Sequence, residues 1–113
     1  QRVVVARALA QEAGIVILDE PTSALDIGYQ QQALELLDDL REESGLTLVA
    51  AMHDLTLAAQ YADRVALLAH GRIVADGPPS EVLTEENISA HYHASVSVVR
   101  VADRVAVVPT RSR

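Results

Sequence analysis

Residues Ile15–Asp26 have the sequence IVILDEPTSALD, in which four apolar residues lead directly into two carboxylates, Asp19 and Glu20. An unbroken apolar run of this kind predicts a buried strand of a parallel sheet. Ligands of open α/β sheets bind beyond the carboxyl ends of such strands. We therefore expect the acidic pair at the rim of a sheet, where a phosphate-bound metal ion can sit. Because neighbouring strand residues point in opposite directions, the two carboxylates can have different roles.

The residues that follow predict a βαβ unit. Asp26 is a suitable N-cap for a helix over Ile27–Glu43, Gly45 is a suitable end for it, and Leu46–Met52 is a second buried run. A strand, a helix and a strand in this order predict two adjacent parallel strands with a right-handed crossover. The helix is expected to present one apolar face, made of Ala33, Leu36, Leu37 and Leu40.

The rest of the chain predicts short helices and hairpins, and a further amphipathic helix is expected at the start, over Gln1–Gln11. Asp54 is expected to cap a helix that runs through Tyr61. The expected hairpins are 65–68 with 72–75 and 96–101 with 104–108, and the expected later helices are 81–83 and 85–91, capped by Ser80 and Thr84.

Composition limits the class of protein. The chain has 113 residues, enough for one small domain, and half of them are hydrophobic, so a disordered chain is excluded. The formal net charge of −7 argues against a nucleic-acid partner, and the absence of cysteine excludes disulfides and thiol chemistry. The apolar runs are far shorter than the ~20 residues that a membrane-spanning helix needs.

Four segments in order resemble the ATP-binding cassette (ABC) ATPases. Val16–Glu20 is similar to the Walker B motif, and Ser23–Asp26 is similar to the D-loop. Gln1–Leu9 resembles the helix that follows the ABC signature loop, and His53 matches the switch histidine. A hydrophobic run with Asp-Glu is a weak signal alone, whereas these segments together are specific. The resemblance covers about residues 1–84.

The resemblance implies a role for each residue of the expected site. Asp19 would bind Mg²⁺, chiefly through water, because Mg²⁺ retains several waters and uses few carboxylates. Glu20 would be the general base that polarises the attacking water, and His53 would contact the γ-phosphate and that water. Ser23 and Asp26, in the D-loop, would lie at a dimer interface and help couple two ATP sites. The implied cofactors are ATP and Mg²⁺.

The implied fold is α/β, namely a partial P-loop NTPase (RecA-like) core with parallel strands, followed by C-terminal hairpins and short helices. Residues 1–94 would be the C-terminal part of a nucleotide-binding domain, and residues 95–113 a hairpin and tail. The 113 residues contain no GxxxxGK[ST] loop, which supplies the phosphate cradle. We therefore expect the Walker A and signature loops upstream, in a longer chain, and no ATP hydrolysis by this chain alone.

Within the family, Pro21 and the His53–Leu55 segment resemble importer ATPases. The stretches Ala24–Gln30 and His53–Thr84 look most like the ATPases for iron-siderophore, haem and cobalamin uptake, and Val107–Thr110 also fits that group. The implied partners are a second nucleotide-binding domain in a homodimer, transmembrane permease subunits and, indirectly, a periplasmic or lipoprotein substrate-binding protein. The implied location is cytoplasmic, peripheral on the inner face of the cell membrane.

Other interpretations stay open at this point. An ABC ATPase with a non-transport role is one, a non-catalytic module derived from an ABC domain is another, and a structural interaction protein is a third. The missing phosphate loop favours the second, whereas the intact Asp19, Glu20 and His53 oppose it. His91 and His93 could bind a metal, although no third ligand has a convincing spacing.

Overall fold

The computed structural model describes residues 14–22 and 24–111, which divide into two compact units, one ending at His53 and the next beginning at Asp54. The helix expected over Gln1–Gln11 and the D-loop residue Ser23 lie outside the described residues. The boundary expected between residues 94 and 95 stays a prediction.

The first unit is a βαβ unit. Strand β1 is Ile15–Asp19, helix α1 is Ile27–Ser44 and strand β2 is Thr47–Ala51. The two strands are parallel neighbours, and their register runs from Ile15 opposite Thr47 to Asp19 opposite Ala51. The predicted pair of adjacent parallel strands is therefore confirmed. Strand β1 is one residue longer than predicted, at its carboxyl end, and β2 is one residue shorter at each end.

Both predicted ends of α1 are confirmed. The Asp26 carboxylate accepts a hydrogen bond from the backbone N–H of Tyr29 at 3.3 Å, which is the N-cap interaction. At the other end Gly45 has φ 67°, and its N–H donates to the carbonyl of Arg41 at 2.9 Å. A left-handed residue after the last turn is the usual place for glycine, which has no Cβ to clash.

The predicted burial of the first unit is wrong in two respects. In β1 only Val16 and Leu18 are buried, while Ile15 and Ile17 are 63% and 77% exposed. Strand β2 is likewise largely exposed, so these strands are covered on one face and not on both. An unbroken apolar run marks a strand but does not say how many of its faces are covered.

The buried face of α1 is also rotated from the predicted one. Its two buried residues are Leu34 and Leu37, whereas Leu36 is 43% exposed. Leu34 and Leu37 are three positions apart and therefore share a face. Leucines at 34, 36, 37 and 40 allow more than one apolar stripe, and the packing of this helix uses the one through Leu34.

The second unit consists of short helices and two antiparallel hairpins. Its elements are α2 Leu55–Tyr61, β3 Val65–Ala69, β4 Arg72–Gly77, α3 Pro79–Val82, α4 Glu85–Tyr92, β5 Val96–Val101 and β6 Arg104–Pro109. Strands β3 and β4 form one two-stranded sheet and β5 and β6 another, as predicted. Asp54 and Thr84 cap α2 and α4 through hydrogen bonds of 3.0 and 3.1 Å.

One predicted cap is wrong. Helix α3 begins at Pro79 after the cap residue Pro78, so Ser80 lies inside the helix. Proline has a fixed φ and lacks the N–H that the first helical residue does not use, which makes it a favourable first residue. The preference of proline for this position therefore outweighs the capping preference of serine.

The core of the second unit is apolar and small. It is formed by five buried residues, Ala59, Leu67, Val82, Leu83 and Val105, with partly buried side chains around them. These come from α2, β3, α3 with its C-cap, and β6, so the core joins both hairpins to α2 and α3. The C-terminal hairpin is consequently an integral part of this unit.

Side chains of α2 satisfy the outer edge of β6. The Thr56 hydroxyl accepts from the N–H of Val107 at 2.9 Å and donates to its carbonyl at 3.0 Å. Gln60, one turn later, donates to the carbonyl of Val105 at 3.1 Å, and Arg104 donates to the carbonyls of Ala59 and Ala62. Edge strands expose unpaired backbone groups that invite pairing with other chains. Side chains of α2 therefore pair with backbone groups of β6 that a third strand would otherwise bond.

Replacement of Thr56 by valine is expected to lower the free energy of unfolding by about 1–3 kcal/mol, because it leaves two partly buried backbone groups of Val107 without a partner. The measurement is the urea midpoint of the chain. Thr47→Val is the matched control, since Thr47 is exposed, and it should stay within about 0.5 kcal/mol. Equal midpoint shifts for both variants would contradict this account of the edge.

Candidate functional site

The carboxyl ends of the two parallel strands bring the predicted carboxylates and the predicted histidine to one place. Asp19 is the last residue of β1 and lies opposite Ala51, the last residue of β2. The N–H of Glu20 donates to the Ala51 carbonyl at 2.8 Å, which continues the ladder by one hydrogen bond. His53 follows Ala51 by two residues. The parallel register therefore aligns Glu20 with the segment that carries His53.

Glu20 leaves the strand with an unusual backbone conformation. Its φ is 47°, in the left-handed region, so it is not a further strand residue. Alternation along the strand therefore does not set its direction, and this corrects the expectation for the acidic pair. A non-glycine residue in this region costs about 1–2 kcal/mol. Conformations of this cost concentrate at functional sites, where the surrounding contacts hold them in place.

The side chains of Glu20 and His53 are in contact, with Glu20 Oε1 against His53 Nε2. A carboxylate only accepts, so this contact is a hydrogen bond when Nε2 carries a proton, and an ion pair when the ring is doubly protonated. The Glu20 side chain is 34% exposed and that of His53 is 92% exposed. Both groups are thus open to a bound molecule, and a shared water or phosphate oxygen could contact the two together.

Asp19, adjacent in sequence to Glu20, is an exposed carboxylate residue at the end of β1. Within residues 14–22 and 24–111, no group of three His, Cys, Asp or Glu side chains has the geometry of a metal site. The donor set fits Mg²⁺ in the manner usual for nucleotide-bound ions, in which one or two carboxylates are joined by phosphate oxygens and water. His91 lies in α4 and His93 is its left-handed C-cap. Among the described residues, neither belongs to a group of three possible metal ligands.

The turn after Glu20 is held by Gln30, a residue that was not predicted for the site. The carbonyl of Thr22 accepts from the N–H of Leu25 at 3.1 Å and from the Gln30 side-chain amide at 3.4 Å. Thr22 is 4% exposed. The sequence signal that could have indicated Gln30 is a polar side chain one turn after the cap residue Asp26. A side chain at this position of α1 can reach the preceding loop.

Asp26 is placed by the structure as an exposed helix cap, and its carboxylate oxygen Oδ1 is engaged by Tyr29 as described above. Ser23 lies outside the described residues. The structure therefore brings Glu20 and His53 together, with Asp19 adjacent in sequence to Glu20. Within the described part of the chain, no helix is both long enough and apolar enough to cross a membrane.

Comparisons with known proteins link this geometry to one family. The chain is 44% identical to the hemin import ATP-binding protein HmuV of Rhodococcus jostii, over 99% of this chain and 39% of that relative. It is 47% identical to the cobalamin import ATP-binding protein BtuD of Halobacterium salinarum, over 87% of this chain and 25% of the relative. It is 45% identical to the ferric enterobactin transport ATP-binding protein FepC of Escherichia coli, over 96% and 41%.

Solved structures agree with these relatives. An inward-facing metal-chelate type ABC transporter matches 95% of this chain with a TM-score of 0.81 and 32% identity, over 44% of its own chain. CbiO1 of Clostridium perfringens, part of the ABC transporter complex CbiONQ, matches 79% of this chain with a TM-score of 0.69 and 35% identity, over 36% of its own. No protein-family model matches the chain. The chain thus spans less than half the length of each of these five proteins.

Proposed function

Because the chain belongs to the family of ABC transporter ATP-binding proteins, we propose that it is the carboxylate-bearing part of an importer subunit that binds and hydrolyses ATP. The cofactors in this proposal are ATP and Mg²⁺. The phosphate-binding loop is not among the 113 residues. The activity therefore belongs to a complete nucleotide-binding domain, and this chain alone is expected to be inactive.

One observation carries the proposal, namely that Glu20 at the end of β1 contacts His53 just beyond the end of β2. Hydrolysis of a phosphoanhydride requires a positioned water and stabilisation of charge on the phosphoryl oxygens. A carboxylate can accept the proton of that water, and an imidazole can donate to a phosphate oxygen or to the same water. The open edge of the site leaves room for the nucleotide to lie against both groups.

The roles proposed for the other site residues are those that the family resemblance implies. Asp19 would help to hold Mg²⁺, in part through water, because it is the exposed carboxylate adjacent in sequence to Glu20. When bound, the ion would neutralise charge on the phosphates. Ser23 and Asp26 would contact a second domain across a dimer interface. The capping role of Asp26 is compatible with this, since it engages Oδ1.

The transported compound is proposed from the relatives. Their names include hemin, cobalamin and ferric enterobactin, and one structural neighbour is a metal-chelate type transporter. We assign this chain to the uptake of an iron-siderophore, haem or cobalamin. These compounds share a bulky metal chelate, which would contact the permease and the substrate-binding protein and not this chain.

The partners in the proposal are a second nucleotide-binding domain in a homodimer and the transmembrane permease subunits, with a periplasmic or lipoprotein substrate-binding protein acting indirectly. The site opens at the ends of the strands, where a second domain could complete it. The location would be the cytoplasmic face of the cell membrane, with the chain held peripherally by the permease.

A completed domain tests the proposal. The completed domain is a chimaera, in which this chain replaces the matching segment of the hemin import ATP-binding protein HmuV of Rhodococcus jostii. That segment is 39% of the relative. The completed domain should hydrolyse ATP only with Mg²⁺, and the 113-residue chain should not hydrolyse it at all. A completed domain that folds, binds ATP and remains inactive would overturn the proposed function.

Asp19→Asn in the completed domain should raise the Mg²⁺ concentration for half-maximal hydrolysis by about 10- to 100-fold, because loss of one charge-assisted contact costs about 1.5–3 kcal/mol. High Mg²⁺ should partly restore the rate. The measurement is steady-state hydrolysis against Mg²⁺ concentration. Asp39→Asn, on the exposed side of α1, is the matched control and should leave the Mg²⁺ curve unchanged. Equal Mg²⁺ curves for both variants would remove Asp19 from the metal site.

A further inference from the structure

We propose that Gln30 is a positioning residue for hydrolysis, which holds the turn after Glu20 so that the Glu20 carboxylate keeps its place beside His53. The proposal rests on the function proposed above, in which Glu20 is the general base. Gln30 acts through the backbone of the Glu20–Thr22 turn. The contact is with the Thr22 carbonyl, two residues beyond Glu20.

The turn is tied at both ends. At its start the N–H of Glu20 donates to the Ala51 carbonyl of β2 at 2.8 Å. At its end the Thr22 carbonyl accepts from Leu25 and from the side chain of Gln30. Between these two points the backbone passes through the left-handed conformation of Glu20. A conformation of this cost persists only where its surroundings enforce it, so loss of one tie should let Glu20 move.

Gln30 is well placed to be such a tie because its own backbone is fixed. Its N–H donates to the Asp26 carbonyl at 2.8 Å, in the first turn of α1. The side-chain amide therefore extends from a rigid helix to the loop. Burial of Thr22 excludes water that could otherwise replace the amide as a donor to its carbonyl. The Gln30 side chain thus connects helix α1 to the turn that holds Glu20.

Two neighbouring glutamines provide controls within the same helix. Gln31 and Gln32 follow Gln30 directly, and both are exposed, whereas Gln30 is half-buried. Successive residues are about 100° apart around a helix, so these two do not share the face that Gln30 turns to the loop. A change at Gln31 alters helix propensity and composition as a change at Gln30 does, but leaves the Thr22 contact intact.

The experiment compares Gln30→Met with Gln31→Met in the completed domain. Methionine is close to glutamine in length and helix propensity but has no donor. Gln30→Met should lower kcat about tenfold, within the ~10² that a 1 Å displacement can cost, while KM for ATP stays within about twofold. Gln31→Met should match the parent. Gln30→Lys keeps a donor and should recover most of the rate.

A second arm separates positioning from stability. In a Glu20→Gln background, Gln30→Met should cause no further loss of rate, because residues that act as one unit are not additive. A similar loss for Gln30→Met and Gln31→Met, a rise in KM without a fall in kcat, or a further loss in the Glu20→Gln background would overturn the proposal. So would unfolding of both Gln30→Met and Gln30→Lys at the assay temperature. If Glu20→Gln itself retains the parental rate, the proposed function has failed and not only the positioning role.

Discussion

Replacement of Glu20 by glutamine is expected to leave ATP binding by the completed domain intact and to reduce its hydrolysis rate by about 10²- to 10⁴-fold, the usual contribution of a general base. The amide has nearly the same shape as the carboxylate but cannot take up the proton of the attacking water. Because Glu20 is partly exposed and begins a turn, the substitution should not disturb the core. The loss should therefore appear in kcat and not in KM.

The same variant should change the oligomeric state. If hydrolysis is what releases two domains that share two ATP molecules, then blocking it should cause a two-fold symmetric dimer to accumulate with ATP and Mg²⁺. The measurements are steady-state hydrolysis and the dimer fraction by sedimentation. Glu35→Gln makes the same change at an exposed position of α1 and should behave as the parent in both assays. Hydrolysis by Glu20→Gln within a few-fold of the parent would show that Glu20 is not the base.

Much of the first unit could be predicted because its signals are local. The Asp26 cap, the left-handed Gly45 and the two apolar runs each have a short-range physical cause, and together they give the βαβ unit and its parallel pair. Parallel pairing then places Glu20 and the His53 segment at the same end of the sheet. The meeting of these residues is thus a consequence of topology that the sequence pattern already contains.

Other features depend on contacts that no local pattern contains. Which faces of β1 are covered depends on what packs against it, so Ile15 and Val16 are equally apolar in sequence but differ greatly in exposure. The left-handed φ of Glu20 and the link from Gln30 to Thr22 likewise arise from how the turn fits between a strand and a helix. Strand alternation was expected to point Asp19 and Glu20 in opposite directions. It does not apply to Glu20, because the strand ends at Asp19.

The stability of the second unit should depend on a few buried side chains. Leu83 has no exposed surface and lies in a core with Ala59, Leu67, Val82 and Val105. Leucine-to-alanine changes at such positions cost about 2–5 kcal/mol, because they remove apolar contacts and leave a cavity. Whole domains are stable by only about 5–15 kcal/mol, so Leu83→Ala should remove a large part of the stability.

Urea unfolding of the 113-residue chain, followed by circular dichroism, measures this effect. Leu83→Ala should lower the midpoint strongly or leave the chain unfolded without urea. Leu68→Ala is the matched control, since Leu68 is 60% exposed in β3 and its truncation should cost no more than about 1 kcal/mol. Amide exchange should show the loss of protection in the hairpins and in α2, which share the core. If the two variants shift the midpoint equally, Leu83 does not hold the helices and hairpins together, and the core assigned to this unit is wrong.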